Sequence, residues 1–162
     1  MTPRPEDRAD PVGLAYDRYA PGLFRYAVVL LGDDAAAADA VHQVFAAWLR
    51  QRRVIDNDEH YLRRAVRNEC FSALRRRMRE SRHTGPLLEP IDRAAADTEQ
   101  QVAIERALLA LPAEQREVVH LKLYEGMTLQ EIADATGESI NTVASRYRYA
   151  IEKMRAQLQE WR

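Results

Sequence analysis

The sequence has a single cysteine, Cys70, so no disulfide can close within the chain, which suits a reducing cytoplasm. It has no stretch approaching the ~18 apolar residues of a membrane-spanning helix. Its N-terminus, "MTPRPEDRADPVG", lacks the apolar centre of a signal peptide. A cytoplasmic chain without membrane insertion is therefore expected. No glycine-rich phosphate loop occurs. His42, His60, His83 and His120 are scattered without metal-ligand spacing. Acidic pairs such as Asp33/Asp34 sit at helix starts, where the helix dipole accounts for them, and no nucleophile has a base placed beside it. No cofactor, no metal, no small-molecule substrate and no enzymatic activity are expected. Six glycines and little clustering of β-branched residues disfavour strands.

What remains is a helical protein of 162 residues, 46% apolar and 30% charged, an ordinary globular composition. The length allows one domain or two small ones; two of about 65 residues each would stand near the lower limit for a self-sufficient core. The net charge of −1 hides a strong asymmetry. Residues 61–82 carry Arg63, Arg64, Arg67, Arg75, Arg76, Arg77, Arg79 and Arg82 against Glu69 and Glu80 alone. Between 83 and 118 acids dominate. Local charge steers an anionic ligand, whatever the total.

Residues 1–11 read as a frayed leader. A helical pattern starts near Val12, with Pro21 marking a break or a new first turn, and Gly32 caps it. Asp33 or Asp34 opens the next helix, whose inward face is Val41, Val44, Phe45, Trp48 and Leu49. "RRVIDNDE" is a polar loop. A helix over about 59–80 follows, with Leu62, Val66, Cys70 and Ala73/Leu74 inside. Residues 81–97 contain Gly85, Pro86 and Pro90 and read as a linker, docked by Leu87, Leu88 and Ile91. Beyond it, Val102, Leu108, Leu109 and Leu111 point inward, then Val118, Val119, Leu121 and Leu123.

Near the C-terminus, Thr128 and Glu131 form an S/T-x-x-E capping box, Gly137 ends a short helix, and Ser139 can cap the next. A short capped helix, a glycine turn and a longer basic helix make a helix-turn-helix, and a major groove admits one α-helix. Ile132, Ala133, Ile140 and Val143 brace the pair. Helical spacing puts Asn141, Ser145 and Arg148 on one line and Thr142, Arg146, Tyr149 and Lys153 on its neighbour. Ser145, Arg148 and Tyr149 are assigned to base contact; Asn141, Thr142, Arg146 and Lys153 to phosphates. Ala144 lets the backbone approach closely and can touch a thymine methyl.

A second basic element is "YLRRAVRNECFSALRRRMR", which has an apolar seam and arginine elsewhere. Phosphates reward such a face through counterion release. Nearby Trp48, Tyr61 and Phe71 could stack on unpaired bases, but Trp48 and Phe71 fit a core role better. Cys70 falls on the seam as a small buried hydrophobe.

The two motifs in this order resemble bacterial RNA polymerase sigma factors of the extracytoplasmic-function (ECF) type over residues 12–158. The match is most specific in Leu111-Pro112, Arg116-Glu117-Val118, Glu131-Ile132-Ala133, Asn141-Thr142-Val143 and Ser145-Arg146. "YAPGLFRYAVVLLGDDAAAADAVHQVFAAWLR" and "YLRRAVRNECFSALRRR" are similar to region 2. The resemblance implies an all-α fold of two small helical domains: region 2 over 12–80, a linker over 81–97, and region 4 over 98–160. It implies an alternative sigma factor that binds core RNA polymerase, recognises −35 and −10 promoter elements and helps open the DNA. Asp39, His42, Gln43, Phe45 and Trp48 match the surface for the polymerase clamp helices. Arg64, Arg67, Asn68, Ser72, Arg75 and Arg76 match the −10 reader, with a base-capturing loop at about 52–59. Region 4 would take the −35 duplex and the polymerase flap, and the linker the RNA exit path. An anti-sigma protein is a further implied partner. His42 and Gln43 stand where the family has Gln and an acid, and Ala144 and Tyr149 where Lys or Arg is common. These departures bear on the polymerase contact and on the −35 sequence read.

Two other readings compete: an ordinary helix-turn-helix regulator that binds an operator without joining polymerase, and a scaffold whose basic faces hold an acidic protein. A regulator would carry a ligand or phosphoryl pocket in its N-terminal half in place of an arginine helix. A scaffold predicts no salt-dependent promoter binding.

Overall fold

Apolar periodicity becomes helix throughout. The structure, a computed structural model, describes residues 11–51, 58–84 and 98–160. Their regular structure is entirely helical: α1 (Pro11–Leu31), α2 (Asp34–Gln51), α3 (Asp58–Thr84), α4 (Glu99–Leu109), α5 (Ala113–Leu123), α6 (Leu129–Thr136) and α7 (Ile140–Glu160). The N-terminal leader, most of the polar loop after α2, and Leu87, Leu88 and Ile91 of the expected linker lie outside the described residues.

Helix α1 runs unbroken through Pro21, against expectation. Proline removes one helical hydrogen bond, but Pro21 faces solvent, and Ala20, Leu23, Tyr26 and Ala27 around it are buried. Packing on α2 and α3 holds the segment straight enough to continue. Gly32 ends α1 at φ 64°, its N–H donating to the Val28 carbonyl at 2.7 Å. Asp33 then caps α2, its Oδ1 accepting the Ala36 N–H at 3.0 Å.

In α3, Leu62, Val66 and Cys70 are fully buried, as the spacing predicts. The helix passes residue 80 and takes in four residues of the expected linker, because its stop signals, Gly85 and Pro86, come only afterwards. Leu49, Leu123 and Ile140 do not face in; they are 54%, 57% and 43% exposed. Each lies in the first or last turn of its helix, beyond the reach of a covering neighbour. In α4 the buried seam is Ala103 and Ala107, with Val102, Leu108 and Leu109 only half-buried. Small side chains there let α4 lie against α7.

The two halves share one core. Val118, Leu121, Ile132, Ala133 and Val143 belong to the same buried cluster as Tyr26, Leu30, Val66 and Cys70. Helix α5 packs on α1, and α6 touches α3. A smaller cluster of Leu111, Val119 and Ala150, lined by Leu108, Tyr147 and Met154, holds α4, α5 and α7 together.

Candidate nucleic-acid interface

The helix-turn-helix is built from its caps outward. Thr128 Oγ1 accepts the Glu131 N–H at 3.1 Å, and Glu131 Oε2 accepts the Thr128 N–H at 2.7 Å, a complete capping box. Those hydrogen bonds hold the Glu131 carboxyl below the usual carboxylate range. Gly137 closes α6 at φ 73°, donating to the Ala133 carbonyl at 2.9 Å. A Cβ there would meet no atom within 4 Å, so glycine is required for its backbone angle and not for space. Ser139 Oγ accepts the Thr142 N–H at 3.1 Å and starts α7. Ile132, Ala133 and Val143 are buried between the helices; Ile140 is not part of the brace.

On α7, Asn141, Arg148, Tyr149 and Lys153 are exposed, and Thr142, Ala144 and Ser145 are half-buried. Arg148 lies over the Tyr149 ring, 5.1 Å from its centroid, so cation and aromatic form one projecting unit. Arg146 departs from this face. Its Nη1 donates to Glu138 Oε1 at 3.1 Å, and it turns towards α3.

The arginines of α3 divide in the same way. Arg64, Asn68, Arg75 and Arg76 are exposed and Ser72 is half-buried. Arg75 Nη2 donates to Ser72 Oγ at 2.9 Å, and Arg76 Nη2 to Glu69 Oε1 at 3.2 Å. Arg67 is committed elsewhere. Its Nε and Nη2 donate to the two oxygens of Glu117 at 2.7 and 3.1 Å. Glu117, on α5, is fully buried and also accepts from the Tyr26 hydroxyl of α1. Burial works against the Arg67 charge, but the bond to Glu117 outweighs it and the guanidinium pKa rises. Burial, then the Glu117 charge, pushes the Tyr26 hydroxyl well up, which keeps it a donor.

Further ties flank this one. Arg63 donates to Glu125 at 2.5 Å, and His120 Nε2 lies 3.3 Å from the other Glu125 oxygen. Hydrogen bonding from His120, then from Arg63, holds the Glu125 carboxyl low. Arg116, buried, donates to the Leu30 carbonyl at 3.0 Å, and Arg77 to the Leu31 carbonyl at 3.1 Å and to Asp33 at 2.8 Å. Cations from α5 and α3 thus meet the unpaired carbonyls and negative dipole end of α1. The arginine run that looked poorly balanced in sequence is partly balanced in space, by acids from α5 and its following turn. Tyr26, Arg116, Glu117, His120 and Glu125 are the residues that spacing arguments missed. Only the unusual density of charge on the apolar pattern of α5 hinted at them.

Between the halves lies an open cavity of about 260 Å³. Arg67, Asn68, Phe71, Ser72 and Arg75 of α3 line one side, and Glu114, Glu138 and Arg146 the other. Residues assigned to the two promoter elements therefore meet at one place. Arg67 lies over the Phe71 ring, 4.7 Å from its centroid.

On α2, Asp39, His42 and Gln43 are exposed on successive turns, and Leu49 extends their side of the helix. His42 Nε2 lies 3.1 Å from the Tyr16 hydroxyl. Phe45 and Trp48, expected on the same surface, are buried at 5% and 7% and lie behind it. Their rings pack edge-on at 6.0 Å, and Tyr16 packs on Phe45 at 4.9 Å. Among the described residues, no group of His, Cys, Asp or Glu is placed to hold a metal, and no helix is long and apolar enough to cross a membrane.

The sequence matches the family Sigma-70 region 2 over residues 15–80 and Sigma-70 region 4 over residues 101–154. It is 30% identical over 159 residues to the ECF RNA polymerase sigma factor SigL of Mycobacterium tuberculosis, covering 90% of this chain and 87% of that protein. It is 32% identical over 143 residues to the RNA polymerase sigma-E factor of Streptomyces coelicolor, covering 84% and 79% respectively. The fold is similar to that of the sigma factor RpoE of Bartonella quintana, solved with the anti-sigma factor NepR. That match has a TM-score of 0.74 at 27% identity and covers 91% of this chain and 96% of the other. Two helical units, one with an arginine helix and one with a capped helix-turn-helix, thus agree with sequence and fold comparison over nearly the whole length. The chain belongs to the ECF family of RNA polymerase sigma factors, alternative sigma factors that bind core polymerase, recognise −35 and −10 promoter elements and help to open the DNA.

Proposed function

We propose how this sigma factor divides its work. Region 2 spans 12–80, the connecting segment 81–97, and region 4 98–160. The exposed face of α2, with Asp39, His42 and Gln43, meets the polymerase clamp helices. Phe45 and Trp48 hold that face in shape from behind. Helix α7 enters the −35 major groove: Ser145, Arg148 and Tyr149 meet base edges, Ala144 allows close approach, and Asn141, Thr142 and Lys153 hold phosphates. Arg146 joins them only after it leaves Glu138.

Arg64, Asn68, Ser72, Arg75 and Arg76 of α3 receive the −10 strand, and Arg67 does so once released from Glu117. Extruding a base costs a few kcal/mol of stacking, so a surface that holds it nucleates melting. Neither half needs high affinity, because linkage supplies avidity. The protein acts in the cytoplasm beside polymerase and catalyses nothing itself. An anti-sigma protein is a fitting partner, since a similar sigma factor has been solved with one.

The observation that carries this division is the projecting Arg148–Tyr149 unit on a helix capped at Ser139. The test is transcription in vitro with core polymerase on genomic promoter fragments. Specific transcripts are expected. DNA binding without transcripts would favour an operator-binding regulator.

A further inference from the structure

The exposed side of α2 carries an imidazole whose ring is held in place. His42 Nε2 lies 3.1 Å from the Tyr16 hydroxyl of α1. The two rings stack at 23° with their centroids 6.2 Å apart. Tyr16 is itself fixed from behind: it meets the Phe45 ring edge-on at 4.9 Å, and Phe45 meets Trp48 at 6.0 Å. Phe45 and Trp48 are buried, so a chain of aromatic contacts runs from the core out to an exposed histidine.

The proton of the Tyr16–His42 bond has two possible owners, and they differ in strength. A phenol is a good donor, and its oxygen, conjugated to the ring, is a poor acceptor. A bare imidazole nitrogen is a strong acceptor. The stronger bond therefore has the hydroxyl donating to Nε2. Neutral imidazole carries a single N–H, so this bond puts it on Nδ1. Nδ1 has no partner among the described residues, and His42 is exposed. Neutral His42 thus offers a donor that the chain itself does not use. Asp39, about one turn before it on the same side, offers carboxylate oxygens. A second carboxylate facing His42 would meet the Asp39 charge, so a neutral carbonyl oxygen suits His42 and a cation suits Asp39.

We propose that Tyr16 is a positioning residue of the polymerase contact: its hydroxyl sets the His42 tautomer, and Nδ1–H then donates to a neutral carbonyl oxygen beside a basic side chain on the polymerase. This rests on the reading of α2 as the surface for the clamp helices. Tyr16 acts through His42 and touches nothing of the partner.

The tautomer is read in the full-length chain, without polymerase, by 15N NMR of the imidazole rings at about pH 8, where histidine is neutral. A protonated ring nitrogen and a bare one resonate far apart. The sequence has four histidines, and His42→Asn identifies the signal that belongs to His42. The wild type is expected to carry the proton on Nδ1. Tyr16→Phe keeps the ring on Phe45 and removes only the hydroxyl; it is expected to return the proton mainly to Nε2, the usual site in water.

Titration of the fluorescently labelled chain with core polymerase reads the contact. Tyr16→Phe is expected to weaken binding about fivefold. Asparagine carries a side-chain N–H at the place of Nδ1 and needs no tyrosine to set it. In the His42→Asn background, Tyr16→Phe is therefore expected to cost nothing further.

A proton on Nε2 in the wild type overturns the proposal. An equal loss from Tyr16→Phe in both backgrounds overturns it too, since Tyr16 would then act on the partner or on the fold alone. His42→Ala separates the two levels. Full core binding by that variant, with the wild-type proton on Nδ1, overturns the reading of α2 and the recognition step with it, while the Tyr16–His42 bond stands.

Discussion

Helices α3 and α7 are both rich in arginine, and both carry an apolar seam with cations on the other faces. Folding sends them to different tasks. On α7, Arg148 projects with Tyr149 into solvent, and Lys153 is exposed one turn on. On α3, Arg63 and Arg67 lie between the halves and Arg77 closes the end of α1. A cation on a polar face reads nucleic acid only if no carboxylate of its own chain reaches it first. Which of the two occurs depends on a helix some fifty positions away, as with Arg67 and Glu117.

The widest gap between the two helices should appear in stability. Glu117→Ala leaves the buried Tyr26 hydroxyl without its acceptor and the half-buried Arg67 without its counter-charge, and is expected to cost about 3 kcal/mol. Chemical denaturation measures it. Arg148→Ala should leave that denaturation curve within about 0.5 kcal/mol of wild type. A large stability loss in Arg148→Ala would erase the distinction.

Next in size is the effect on DNA. Arg148→Ala is expected to cost about 1–3 kcal/mol of −35 binding and to relax preference at one base position. Competition binding over a set of −35 variants reads both. Uniform loss on every sequence would turn Arg148 into a phosphate contact and bring it closer to the α3 arginines in kind.

A smaller effect sharpens the comparison from the side of the caps. Thr128→Ala removes the oxygen that holds the Glu131 N–H, and is expected to cost about 1 kcal/mol. The loss should show in thermal melting and should weaken −35 binding without changing its base preference.

The smallest effect is in acid. The Glu125 carboxyl is held low by His120 and then Arg63, and that of Asp33 by the Ala36 N–H foremost, with Arg77 adding to it. A carboxyl whose folded pKa lies below its unfolded one stabilises fully above the unfolded value. It loses that contribution as pH falls through the folded one. Melting temperature should therefore stay level from neutrality to about pH 5 and then decline. Glu125→Gln should flatten part of the decline, whereas Lys153→Gln on α7 should leave its shape unchanged.

The sequence was informative where local physics decides. Leu62, Val66 and Cys70 at helical spacing, the Thr128/Glu131 box, and the Gly32 and Gly137 turns all stand as expected. Each depends on residues within a turn or two. The surface of α2 was legible in part: Asp39, His42 and Gln43 face out, but Phe45 and Trp48 face in, because α1 lies across that side. Pro21 was misleading, since a proline ends a helix only when packing does not restrain it. The seam was not legible. Beyond its density of charge, nothing in "EQREVVH" says that Arg116, Glu117 and His120 are buried, because their partners are Leu30, Arg67, Tyr26 and Glu125 on other elements. Long-range polar pairing leaves no periodic trace.

Cys70 illustrates what a buried position can withhold. Burial pushes its thiol up to about 12, so at neutral pH only about one chain in a hundred thousand carries the reactive thiolate. It is the sole cysteine of the sequence. In the folded molecule Cys70 is therefore a poor target for peroxides and disulfide reagents. A thiol-based signal would therefore need Cys70 to be uncovered first, by an opening of the core it shares with Leu62 and Val66.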